Sequence, residues 1–222
     1  MSMDVERARF NMVEQQIRPW EVLDAKVLDL LFKVRREDYV PDPYKSLAFA
    51  DLEIPIGHGE MMLPPKLEAR ILQELTINVD DRILEVGTGS GYMTALLASQ
   101  GAHVYSVDII DAFARSAGAC LAQHGIHNVT LETGDAARGW DKHGPYDVIV
   151  LTGSTPVLAE GFQQSLKAGG RLFAVVGEAP AMDAQLITCA TSGSPGAYSV
   201  FSLFETVVPA LRNAPQRAKF VF

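Results

Sequence analysis

Residues 84–92 read LEVGTGSGY. Arg82 to Val86, running into the first glycine, form a short apolar strand, and Gly91 to Ser99 carry a helical pattern that stops at Gly101. A glycine-rich turn between a strand and a helix is where a backbone reverses tightly and presents N–H groups to a ligand. The spacing narrows the choice of ligand. A dinucleotide fingerprint places glycine or alanine three positions after its second glycine, so that the helix packs closely over a pyrophosphate. Here that position is Tyr92, and the third glycine comes early, at Gly91. The pattern Glu85, Gly87, Gly89, Gly91 therefore fits a nicotinamide dinucleotide poorly.

Outward from this turn the alternation of strand and helix continues. His103 to Val107 is a strand, Asp111 to His124 a helix with Asp111 as its cap and Gly125 as its stop, and Val129 to Glu132 a strand. Asp147 to Leu151 is a β-branched run typical of a strand covered on both faces. A helix over Leu158 to Lys167, closed by Gly169 and Gly170, leads into a strand over Arg171 to Val176. Gln185 to Ala190 and Tyr198 to Val208 are β-rich and joined by TSGSPGA, a connecting loop. The expected fold is α/β: a doubly wound Rossmann-like sheet, mostly parallel, ending in a C-terminal antiparallel hairpin.

A different texture precedes residue 78. Val5 to Ile17 and Asp24 to Val34 read as helices, the second capped by Asp24, and Pro65 opens a helix to about Leu75. Between them FADLEIPIGHGEMMLPP is too rich in proline and glycine to be one regular element. Lys33, Arg35 and Arg36 cluster at a helix end and read as a solvated face. The expected organisation is an N-terminal helical and substrate-loop region, 1–78, packed on a ligand-binding region, 79–222, as one compact unit.

Composition sets outer bounds. The chain has 222 residues, 27 acidic against 19 basic, for a net charge of -8. A large nucleic-acid footprint needs a basic face, so none is expected. No apolar run approaches the ~18 residues of a membrane span, and MSMDVERARF lacks the apolar core of a secretory signal, so a cytoplasmic address is expected. Cys120 and Cys189 lie in apolar surroundings and read as reduced core thiols. Cys120, His124 and His127 are close in sequence, but Gly125 breaks the helix between the histidines, so no metal site is expected.

Two further acids stand in register with the glycine turn. Asp108 ends the second strand, 21 residues after Gly87, where a carboxylate can accept both hydroxyls of a ribose. Asp135, in Gly134-Asp135-Ala136, follows the third strand, where an acid can accept from an adenine amino group. Glycine turn and two acids at the carboxyl ends of three successive strands make a nucleoside site.

At these residues the chain resembles class I S-adenosylmethionine-dependent methyltransferases and, more narrowly, the protein-L-isoaspartate O-methyltransferase family. The likeness extends over MVEQQI (12–17), VRREDYVP (34–41), IPIGHG (54–59), LEVGTGSGY (84–92), GDAARGW (134–140), PYDVIVLTG (145–153) and LKAGGRLFAVVG (166–177), in the family's order. The resemblance implies that Glu85, Gly87, Thr88, Gly89, Ser90 and Gly91 cradle the methionine part of S-adenosylmethionine. It implies that Asp108 and Ile109 hold the ribose and Asp135 and Ala136 read the adenine. Ile56, Gly57 and His58 are then the mouth of the substrate site, and Thr152, Gly153 and Ser154 face the transferring methyl group. The implied activity is carboxyl methylation of L-isoaspartyl residues in damaged proteins.

One block departs from the family. Where it reads Gln-Thr-Ile-Ser-Gln-Pro, this chain has Glu60-Met61-Met62-Leu63-Pro64-Pro65, so both hydroxyl positions are apolar, at Met61 and Leu63. Either the hydroxyls have moved to Thr152 and Ser154 on the other wall, or the acceptor is another protein site or a small molecule. A cofactor-binding protein without catalysis and a nicotinamide dehydrogenase are the remaining alternatives. Neither the catalytic residues nor the oligomeric state can be read from the sequence.

Overall fold

A computed structural model describes residues 4–191 and 197–218. Helix α1 (Val5–Met12) is capped by Asp4 and runs on through a π turn at Val13–Ile17. The Asp24 carboxylate accepts from the Lys26 N–H and so caps α2 (Ala25–Lys33), as its position suggested. The segment too irregular for one element contains a small antiparallel hairpin, β1 (Ile54–Gly57) and β2 (Glu60–Met62), and then α3 (Pro65–Leu75) begins on its proline.

The glycine turn joins β3 (Arg82–Val86) to α4 (Tyr92–Ala98), followed by β4 (His103–Asp108), α5 (Asp111–Gln123) and β5 (Val129–Thr133). The chain then crosses to β6 (Tyr146–Thr155), α6 (Glu160–Gln164), β7 (Leu166–Glu178), β8 (Ala181–Cys189) and β9 (Tyr198–Thr206). One sheet has the order β5-β4-β3-β6-β7-β8-β9, parallel from β5 through β7 and antiparallel at β8 and β9. The α/β fold with its terminal hairpin is thus as expected; most of the TSGSPGA connection lies outside the described residues. The strand order reverses at β3 and β6, and a crevice opens there at the carboxyl ends of the strands.

Alternation along each strand sorts the core into two faces. Ile83, Val148, Val150 and Phe173 face α1 through α5, while Leu84, Ile149, Leu151 and Leu172 face α6 and the loop at Ala136. Among the described residues no helix is long and apolar enough to cross a membrane.

Four local expectations need correction. The helix expected over Leu158 to Lys167 is a single turn, because Leu166 already pairs with Tyr146 and the chain from there belongs to β7. Asp111 is the first residue of α5 rather than its cap, which is Ile110; its charge still suits the helix N-terminus. Cys120 and Cys189 are both partly exposed, at the margins of the core.

The fourth is larger. Lys33 and Arg35 are exposed, but Arg36 is 1% exposed. Its Nε donates to the Ala48 carbonyl (3.0 Å), Nη2 to the Leu63 carbonyl (2.6 Å) and Nη1 to the Glu68 carboxylate, which is 2% exposed. The guanidinium also lies 5.2 Å from the centre of the Tyr92 ring. A guanidinium can be buried when its donors are met and an anion faces it, and here three chain segments supply those partners. Arg36→Met leaves Glu68 as a buried, unpaired acid. A loss of about 3–5 kcal/mol in unfolding free energy is expected, read by denaturant titration; a loss under ~1 kcal/mol would show that the pair is not structural.

Candidate functional site

The turn that leaves β3 is held from two sides. Above, Gly87 has φ +100°, and a Cβ added there would lie 2.2 Å from Thr152 Oγ1 on β6. That hydroxyl reaches the carbonyls of Gly87 (2.7 Å) and Val86 (2.9 Å), so the turn rests directly on β6 where the strand order reverses. Below, Glu85 is fully buried, and its Oε2 accepts from Thr94 Oγ1 (2.5 Å) and Ser106 Oγ (2.6 Å). Thr88 Oγ1 lies 2.6 Å from the same Ser106 hydroxyl, which closes a chain of side chains from the turn to the start of α4. Burial pushes the Glu85 carboxyl up to about 8 against those two hydroxyl donors. Its Oε1 has no hydrogen-bond partner among the described residues.

The cavity over this turn brings most of the expected residues together. Gly87, Thr88, Gly89, Ser90, Asp108, Ile109, Asp135 and Ala136 line it, as do Ile56, Met61, Leu63, Thr152 and Gly153. Five expected residues stand outside the wall. Glu85 is sealed beneath the turn. Gly91 begins α4 at φ +83°, where a Cβ would press on Ala117 of α5 at 2.9 Å, so its work is helix packing. Gly57 and His58 form the tip of the β1–β2 hairpin, with the His58 ring edge-on to Phe113. Ser154 is fully buried and donates to the Val208 carbonyl (2.7 Å). The hydroxyls of Thr152 and Ser154 are therefore committed to backbone oxygens, and they do not replace the missing hydroxyls of the opposite wall.

The two strand-end acids are braced and still able to accept. Asp108 takes the N–H groups of Gly89 (2.9 Å) and Ile110 (2.8 Å), one per oxygen. Burial raises its carboxyl while those N–H groups lower it. Asp135 takes the Ala137 N–H (3.1 Å) on one oxygen and Asn213 Nδ2 (2.9 Å) on the other. A carboxylate oxygen accepts more than one donor, so a diol and an amine can still be received. The described wall holds four acids, Glu60, Glu68, Asp108 and Asp135, and one cation, Arg212, whose Nε is bound to Glu60 at 2.7 Å. Such a wall suits a cationic nucleoside and repels a pyrophosphate. By this chemistry the residues fit S-adenosylmethionine.

Two contributors were not legible as site residues in the sequence. Pro209 to Arg212 close one side of the cavity: Ser154 N donates to Pro209 O (2.9 Å), Leu211 N to Ser154 O (2.8 Å) and Arg212 Nη2 to His58 O (2.6 Å). The only hint was an apolar run, Val207 to Leu211, that outlasts the β pattern. Glu68 is the other. Its spacing from Pro65, Leu72 and Leu75 puts it on the buried stripe of α3, which was a readable signal for an acid with a partner.

The contact between Gly87 and Thr152 can be tested without any ligand. Gly87→Ala adds a side chain at positive φ and against a hydroxyl, at a cost of about 1–3 kcal/mol in strain alone. Removing that hydroxyl relieves the clash, so Gly87→Ala with Thr152→Ala is expected to lose about 1 kcal/mol less than the two single losses summed. Strict additivity in denaturant unfolding would separate the two residues.

Comparison with known proteins places this geometry. The family described as "Protein-L-isoaspartate(D-aspartate) O-methyltransferase (PCMT)" matches residues 7–199. A protein-L-isoaspartate O-methyltransferase of Gloeobacter violaceus is 35% identical over 205 residues, covering 92% of this chain and 99% of that protein. Another, of Opitutus terrae, is 35% identical over 216 residues, covering 95% and 91%. Among solved structures, a Plasmodium falciparum protein-L-isoaspartate O-methyltransferase in complex with S-adenosyl-L-homocysteine superposes with a TM-score of 0.78 at 18% identity. It covers 95% of this chain and 99% of that one, and at this identity the likeness speaks for the fold. With most of its length matched by the family and relatives above 30% identity aligned nearly end to end, the chain belongs to the protein-L-isoaspartate(D-aspartate) O-methyltransferase family.

Proposed function

We propose that the chain methylates the free carboxylate of L-isoaspartyl residues in proteins, with S-adenosylmethionine as donor. The observation that carries this reading is the acidic nucleoside wall lying against the β1–β2 hairpin, within a chain that shares the family's sequence over residues 7–199. When bound, S-adenosylmethionine supplies an electrophilic methyl group on a sulfonium. Asp108 receives the ribose, Asp135 the adenine edge, and the turn from Gly87 to Ser90 the amino-acid end.

The acceptor needs little chemical help. A carboxylic acid with a pKa near ~4 is already ionised at neutral pH, so no general base is required. The chain's task is to hold nucleophile, methyl and leaving sulfur in line and to exclude water, an alignment that can contribute about 7–11 kcal/mol. Ile56, Met61, Met62 and Leu63 form the apolar side of that enclosure. Arg36 fixes it in place through the Leu63 carbonyl. Without hydroxyls at Met61 and Leu63 the acceptor loses a hydrogen bond worth about 1–3 kcal/mol, which slows transfer without removing the alignment.

The test is methyl incorporation from labelled S-adenosylmethionine into an isoaspartyl peptide beside its aspartyl twin. Label in the isoaspartyl peptide alone is expected. Equal labelling of both, or of neither, would send the search to another acceptor.

A further inference from the structure

The cavity wall holds a buried acid outside the glycine motif. Glu68, on α3, is 2% exposed and lines the cavity beside Leu63 and Met93. Its Oε2 is bound by Arg36, and among the described residues no donor bonds to its Oε1. The guanidinium meets this carboxylate at one oxygen only, and its Nε and Nη2 also bond to the carbonyls of Ala48 and Leu63. Glu85 lies close enough for the Glu68 charge to raise its carboxyl. Burial pushes the Glu68 carboxyl up to about 8 even with the Arg36 guanidinium beside it, so this corner is short of positive charge. A buried charge needs both a counter-charge and donors, and what this corner lacks is one compact cation carrying N–H groups.

We propose that Glu68 receives the ammonium group at the amino-acid end of the cofactor, through the carboxylate oxygen that Arg36 leaves open. The proposal rests on the S-adenosylmethionine reading above. Direction supports it: Asp108 and Asp135, at the ends of β4 and β5, take the nucleoside, and the amino-acid end then extends toward β3 and α3, where Glu68 stands. Chemistry supports it too. The sulfonium has no N–H to donate, whereas the ammonium has three and matches a single carboxylate oxygen. Glu85, the acid of the glycine motif, is shut off beneath the turn and cannot make this contact.

The experiment is calorimetric titration of the whole protein with two ligands. One is S-adenosylhomocysteine; the other is its deamino analogue, in which hydrogen replaces the ammonium. Wild type is expected to favour S-adenosylhomocysteine by about 10–100-fold, the scale of a charge-assisted hydrogen bond. Glu68→Gln keeps an amide oxygen for Arg36 and is expected to shrink that preference to within about threefold, with affinity for the deamino analogue unchanged. A preference that persists in Glu68→Gln, or is missing in wild type, overturns the proposal. If Glu68→Gln does not fold by circular dichroism, Glu68→Asp, which withdraws the charge by one methylene, is read the same way. An undiminished preference there also overturns it. Failure of wild type to bind either ligand would instead remove the cofactor reading itself.

Discussion

One guanidinium organises the irregular stretch between α2 and α3. Arg36 joins the carbonyls of Ala48 and Leu63 to the carboxylate of Glu68, and so ties the loop before the hairpin, the loop after it and α3 at a single buried point. None of these segments could fix its own geometry, since the hairpin strands are only four and three residues long. Breaking such a pair strands a charge, so the tie has no stable half-formed state. The apolar wall of Ile56, Met61, Met62 and Leu63 therefore depends on a residue that does not itself line the cavity.

The cofactor side is built differently. Parallel strands supply their carboxyl ends by topology alone, and the glycine turn sits at the point where strand order reverses. What the chain adds there is a buried hydroxyl–carboxylate network, Thr88, Ser106, Glu85 and Thr94, which holds the turn to β4 and α4. Glu85 spends its acceptor capacity on the scaffold, and the acids that line the cavity are Glu60, Glu68, Asp108 and Asp135. The tail then links both sides, with Arg212 on the hairpin and Asn213 on Asp135. Part of the surplus of acids in the sequence belongs to this one enclosure.

Most of the sheet was legible in the sequence because strand and helix periods, glycine stops and proline starts are local signals. The start and end of α3 and the position of Asp108 follow from residues within a turn or two. The failures share a physical cause. Arg36 looked solvated because its acid lies 32 residues away, and only packing brings the two together. Thr152 and Ser154 looked available because their backbone partners, at Gly87 and Val208, come from other elements. The short α6 stops at Gln164 because Leu166 pairs with Tyr146, a contact that no local propensity reveals.

The central assignment, a cavity made for a nucleoside that carries an amino acid rather than a pyrophosphate, is tested most directly by thermal unfolding of the unmodified protein with increasing S-adenosylhomocysteine or NAD. Ligand that binds only the folded state raises Tm with concentration, by about 2.7 kcal/mol of stability at one hundred times Kd. A graded rise with S-adenosylhomocysteine and none with NAD is the expected result. A rise with NAD alone, or with neither, would contradict it.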